Sequence, residues 1–190
     1  MTHIFRIGWE AGLIPASDHG WARRALAAGH AAAAVRAFMG YDDGSGLGDA
    51  LLPDTLEPRG PVPDFWWMRA GLLVASDAML AAIEALDPGR HRFWPIDLGT
   101  QGRAHGLIVR AFARAIAEDG SRLHVEPPEP LLGLPRHASL IGHAARVDPA
   151  RLPDAHLWWD QALSKPYLMA SDALAARIAP LATIPLRRCR

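Results

Sequence analysis

The chain has 190 residues, 50% of them hydrophobic and 21% charged, enough to bury a core as one domain or as two closely packed halves. Twenty basic residues stand against twenty acidic ones and leave no formal net charge, so the balance gives no reason to expect nucleic acid or an anionic membrane surface as partner. A single cysteine, Cys189, rules out an intramolecular disulfide and suits a reducing compartment.

Residues 1–10 alternate and carry charge, unlike the continuous apolar core of a secretory signal. The best apolar run, residues 25–35, is interrupted by Gly29 and His30 and falls short of the roughly 20 residues that span a bilayer. A cytoplasmic protein with no membrane partner is expected. Residues 18–39 are Ala-rich and read as a first helix, with Asp18 near its start, Gly40 just past its end, and Gly20 and Gly29 as weak points. Residues 41–64, dense in Gly, Pro and Asp, read as a long surface loop. Its Gly44, Gly46 and Gly48 follow no strand and lack the lysine of a phosphate-cradling loop, so flexibility is the better account of them.

A stretch that occurs twice organises the rest. Residues 72–86 return as residues 167–181 and agree at 8 of 15 positions without a gap. Each copy follows a tryptophan pair, Trp66-Trp67 and Trp158-Trp159. Within each copy the apolar pattern changes from a short continuous run to helical spacing at a serine. Ser76 and Ser171 are therefore expected to cap helices by accepting an orphan amide hydrogen bond, with Asp77 and Asp172 facing the positive end of the helix dipole. Asp87-Pro88-Gly89 stops the first helix and residues 92–98 read as a strand; Pro180 stops the second, and residues 183–187 form its shorter counterpart. Pro95 and Pro185 place those last strands at a sheet edge or a strand start. The two units are expected to share one sheet, because each alone would bury little.

Between the copies, Leu107, Ile108, Ala111, Phe112, Ala115 and Ile116 fit one helical face with Arg110 and Arg114 outside it; a strand beginning at Leu107 is the competing reading, and the helix is slightly preferred. Residues 121–126 read as a strand, and the prolines of 126–135 mark an irregular separator. The expected fold class is α+β: a mixed sheet with two related strand-helix-strand units and an N-terminal Ala-rich helix. It is expected to form a single domain over 1–190, in which 1–62 is the N-terminal helical and loop part, 63–125 the first repeat region and 126–190 the second.

Candidate chemistry is thin. The serines lie between strand and helix as a hydrolase nucleophile would, but the flanking glycines of a nucleophile elbow are missing and the Ser-Asp pair recurs, which favours capping. His137 and His143 have neither zincin nor finger spacing, so no metal and no cofactor is expected. Cys189 lies between arginines, but a chain terminus is a poor platform for catalysis. A Trp-Trp dipeptide on an extended segment sends one indole to each face, so one ring can pack inside while the other meets solvent or a partner. Trp66, Trp67, Arg69, His156, Trp158, Trp159 and Asp160 are the candidate partner-binding residues on this reasoning; the plainer reading is that both rings cover the core edge.

Residues 147–160, with their Val-Asp-Pro-Ala-Arg-Leu-Pro-Asp-Ala-His-Leu-Trp-Trp-Asp run leading into Tyr167-Leu168-Met169-Ala170-Ser171-Asp172-Ala173-Leu174, resemble the C-terminal part of the eleventh immunity-protein family of bacterial polymorphic toxin systems. Leu73-Val74-Ala75-Ser76-Asp77 and Phe93-Trp94-Pro95-Ile96 are similar to its central strand, helix and strand. The resemblance spans about 63–98 and 147–186. It implies an α+β domain encoded beside a toxin gene, with no catalytic residues, whose partner is a cognate toxin. Two other function classes remain open. One is an enzyme modifying a peptide or small metabolite, its site assembled from dispersed groups such as Asp160, His156, Arg69 and His91. The other is a peptide-binding module.

Overall fold

The computed structural model describes residues 4–7, 16–18, 20–68, 71–117, 119–126, 137–140, 145–163, 166–181 and 186–189. Strands β1 (Ile4–Ile7) and β2 (Ala16–Ser17) lead into helices α1 (Trp21–Ala27) and α2 (Ala31–Phe38) and then β3 (Glu57–Pro58). The first repeat unit follows as β4 (Phe65–Trp67), β5 (Leu73–Ala75), α3 (Asp77–Glu84), β6 (Arg92–Asp97) and β7 (Arg103–Ile108). Five short strands come next: β8 (Phe112–Ala113), β9 (Ile116–Ala117), β10 (Leu123–Glu126), β11 (His137–Leu140) and β12 (Arg146–Val147). The second unit is β13 (Leu157–Asp160), β14 (Tyr167–Ser171), α4 (Asp172–Ile178) and β15 (Leu186–Arg188). Helices beside largely antiparallel sheets make this an α+β fold, and one parallel pair, β8 with β13, makes the second sheet mixed.

The single helix expected over 18–39 is two helices. Gly29 takes φ 74° after the C-cap Ala28, its amide donates to Leu26 O, and the His30 amide reaches back to Ala25 O at 2.9 Å. This paired termination repeats at the end of α2, where Gly40 (φ 77°) donates to Ala37 O and Tyr41 to Arg36 O. Both ends are Schellman motifs, and the left-handed residue they require is glycine. The 41–64 loop contains more order than its composition suggests: β3 pairs with β2, Thr55 bridges Asp97, and Leu47, Leu52 and Leu56 are buried. The separator at 126–135 lies outside the described residues except for Glu126, which ends β10, and of the strand expected at 183–187 residues 183–185 also lie outside them.

The two copies lie in two sheets, not one. Strand order is β4-β5-β7-β6 in the first and β15-β1-β14-β13-β8 in the second. The hairpins match residue for residue: Phe65, Trp66 and Trp67 pair with Ala75, Val74 and Leu73, while Leu157, Trp158 and Trp159 pair with Ala170, Met169 and Leu168. In each case the second strand of the hairpin is central and has an antiparallel neighbour on its other side, β7 in the first sheet and β1 in the second. A further antiparallel strand then closes the row, β6 or β15. The N-terminal strand thus occupies in the second sheet the place that β7 fills in the first. Both closing strands stand at edges, where Pro95 of β6 removes no amide needed by an inner neighbour.

The reason two sheets form is that both faces of each are covered. One core joins the units through Trp67, Leu73, Met79 and Ile83 on one side and Trp159, Leu168, Leu174 and Ile178 on the other. A second core lies under α1 and α2, where Trp66 and Val74 meet Phe38 and Leu56. A third sets Trp158 and Met169 against Ala111, Ile116 and Leu163. The helix preferred for 107–116 is accordingly absent and strands take its place. Leu107 faces the shared core and Ile108 the core under the helices, while Phe112 packs on the shared core and Ala111 in the third. Adjacent apolar residues buried on opposite faces of a two-sided sheet imitate the spacing of a helical stripe.

Candidate functional site

At the start of each unit's helix the same small network recurs. Ser76 Oγ accepts from Met79 N at 3.2 Å and donates to Asp64 Oδ1 at 2.7 Å, while its amide donates to Asp64 O. Ser171 Oγ accepts from Leu174 N at 3.2 Å and lies 2.7 Å from His156 Nδ1, while its amide donates to His156 O. Asp64 and His156 are equivalent residues, each immediately preceding the first strand of its hairpin. Both hydroxyls remain on a helix amide, the position of a cap. Asp77 pairs with His105 Nε2 at 2.6 Å, and Asp172 Oδ1 accepts from Ala173 N.

His156 is tied down a second time. The Asp87 carboxylate, 2% exposed, accepts the amides of His156 and Leu157 at 2.8 Å each and holds His91 Nε2 at 3.3 Å. His91 Nδ1 in turn accepts from Arg110 N, which assigns the ring proton to Nε2. Burial pulls the His91 imidazole below the usual histidine range, and Asp87 beside it only partly offsets this. The cluster fastens the end of α3 to the start of β13, seventy residues later in the chain. Both Asp87 oxygens and both His91 ring nitrogens are engaged within the fold, and His156 Nδ1 is held by Ser171 Oγ.

All four paired tryptophans are buried, between 1% and 7% exposed, as in the plainer reading that both rings of each pair cover core, and neither pair presents a ring to solvent. Alternation does send the two rings of each pair to opposite faces, but both faces carry a core. Trp67 and Trp159 meet between the units with centroids 5.8 Å apart. The Trp67, Trp158 and Trp159 Nε1 atoms are buried without a hydrogen-bond partner; Trp158 comes near enough to Asp160 to favour its ionised form slightly without closing a well-formed bond. Arg69 lies outside the described residues.

Asp160, the last of the candidates, is fully buried and works from beneath the surface. Its Oδ2 accepts from Ala115 N at 2.7 Å and Ile116 N at 3.2 Å, and its Oδ1 from Ala162 N at 3.0 Å. Burial raises its pKa, and the three amides oppose that shift. Two of these amides, those of Ile116 and Ala162, belong to residues lining a cleft of about 500 Å³, which Val147, Pro149 and the guanidinium groups of Arg114, Arg146 and Arg151 also line. Arg146 pairs with Asp119 at 2.5 Å and Arg151 with Asp148 at 3.2 Å. Arg114 is exposed and makes one long hydrogen bond, 3.4 Å, to Ala162 O. Among the described residues it has no carboxylate partner. Asp148 Oδ1 caps the short 3-10 turn Pro149–Arg151 by accepting from Ala150 N, and Asp148 N donates to Ala115 O, so the cleft wall is bound to the same segment that Asp160 holds.

The arginines of this cleft are absent from the candidates read from sequence. Helical spacing sets Arg114 apart from the apolar face where strands stand instead, and Arg146 and Arg151 converge with it only through the pairing of β9 with β12. One signal was available: nineteen of twenty basic residues are Arg, the side chain suited to planar recognition of carboxylates. Among the described residues no three His, Cys, Asp or Glu side chains come together in a way that could hold a metal, and no helix is long and apolar enough to cross a membrane. No curated protein matches the sequence. The model of an immunity protein family (Imm11) matches residues 49–183, which takes in both hairpin-helix units and all three cleft arginines.

Proposed function

The chain belongs to the immunity protein family (Imm11), and from that premise we propose that it binds a cognate toxin and neutralises it in the cytoplasm. The observation that carries this reading is the family match across 49–183, seven tenths of the chain. The geometry is consistent with a binding role. The serines, His91, Asp87 and Asp160 each accept backbone amides, and the His156 imidazole lies on the Ser171 hydroxyl. The cleft offers positive charge on a braced floor, a surface that suits recognition.

Co-expression with the product of the neighbouring gene tests the proposal. A toxin there should arrest growth alone and be tolerated when this chain is made with it, and the two should copurify. If that product is instead a biosynthetic precursor peptide, or if protection appears without any complex, the reading is wrong.

A further inference from the structure

We propose that the arginine-lined cleft is the seat for one acidic side chain, Asp or Glu, of the partner protein, with Arg114 as its counter-ion. The inference rests on the toxin-binding reading and names the surface and the chemistry it would use. Among the described residues, three guanidinium groups line the cleft and two carboxylates, Asp119 and Asp148, accompany them. Two of the three cations are thereby paired within the chain. Arg114 retains only a 3.4 Å contact to a carbonyl, and its fork of donors is free to take a carboxylate in a bidentate pair.

The charges of the described lining residues favour a single carboxylate as ligand. A single carboxylate can pair with Arg114 without opening either existing ion pair, and the methylenes of a glutamate would lie along Ile116, Val147 and Pro149. A nucleic acid strand would bring phosphates past Asp119 and Asp148 as well as the arginines, and those carboxylates would repel it. The charge of Asp160 is held behind the floor by three amides and does not line the cleft. Because Asp160 and the Asp148 turn brace the floor, little ordering remains to be done when a partner arrives.

Two measurements test this separately from the function. In the first, an acetylated Ala-Glu-Ala amide is titrated into the full chain and the arginine Nε–H signals are followed by NMR, with the Gln peptide and inorganic phosphate as controls. The Arg114 signal should shift saturably with the Glu peptide and not with the Gln peptide. A response to phosphate alone, or to neither, overturns the proposal. In the second, Arg114→Glu and Arg114→Gln are compared with the wild type for affinity to the neighbouring gene's product. The charge reversal should weaken binding about 100-fold, as like-charge juxtaposition costs several kcal/mol, with Gln in between and the unfolding midpoint unchanged. Unchanged affinity removes the cleft from the interface and leaves the toxin reading intact. If the wild type itself captures nothing, the toxin reading falls, and the peptide titration still decides what Arg114 binds.

Discussion

Asp160 buries its carboxyl group completely, and three backbone amides donate to it. Asp160→Ala leaves those amides without acceptors, at about 1–3 kcal/mol for an isolated case, with relief of the buried charge offsetting part of the sum. A net loss of about 3 kcal/mol in urea unfolding is expected, together with loosened hydrogen exchange at Ala115, Ile116 and Ala162. His91 carries a pH dependence of known sign. Its folded pKa lies below the ordinary value near 6.5, so its contribution to stability is full above that value and is lost as pH falls beneath it. Asp160, whose pKa is raised, acts in the opposite direction toward 3.8. Comparing wild type with His91→Gln cancels the Asp160 part. The stability of the wild type relative to the variant should be constant above pH 7.5 and should shrink steadily on acidification below 6.5, as measured by urea midpoints across the series.

At the scale of elements, the strand-to-helix step is where sequence speaks most directly. A change of apolar period at Ser76 and Ser171 is a local signal, and the hydroxyls lie on the third amide of their helices, at Met79 and Leu174. Removing either hydroxyl by Ser→Ala should cost about 1–2 kcal/mol, the capping bond plus the partner it leaves at Asp64 or His156. Unchanged stability in denaturant titration would contradict the capping role. The elements that depart from their local pattern share one cause. Apolar pairs such as Leu107-Ile108 and Ala111-Phe112 look helical because both faces of their sheet are buried, and that depends on what packs from elsewhere in the chain. Gly29 marked a boundary that its Ala-rich surroundings concealed: helix propensity on both sides is high, yet the left-handed turn needs only the one glycine.

For the molecule as a whole, the repeat announces two units, and the pairing partners of those units were not legible. Nothing local in residues 4–7 says that they will lie between β14 and β15, 160 residues and more away in the chain. Nor does the sequence reveal that Trp66 and Trp158 are roofed by different segments, which decides between the two readings of these rings in favour of core. The cleft was illegible for the same reason: Arg114, Arg146 and Arg151 become neighbours only after β9 and β12 pair. One consequence concerns the matched region. A fragment spanning 49–183 lacks β1 and β15 and leaves β14 as an unpaired edge, and it lacks α1 and α2, which roof Trp66. That fragment is expected to show no cooperative unfolding transition, while the full chain unfolds in one; a sharp transition in the fragment would mean the N-terminal strand is dispensable.

Stoichiometry separates binding from chemistry more directly than any variant does. The toxic activity of the neighbouring gene's product is assayed while this protein is titrated in, and the complex is then dissociated. Inhibition should rise linearly, end at one protein per toxin, and reverse fully on separation, with the toxin's mass unchanged. Inactivation by a small fraction of an equivalent, or a toxin that stays inactive or altered in mass after separation, would contradict the account and make this protein an enzyme.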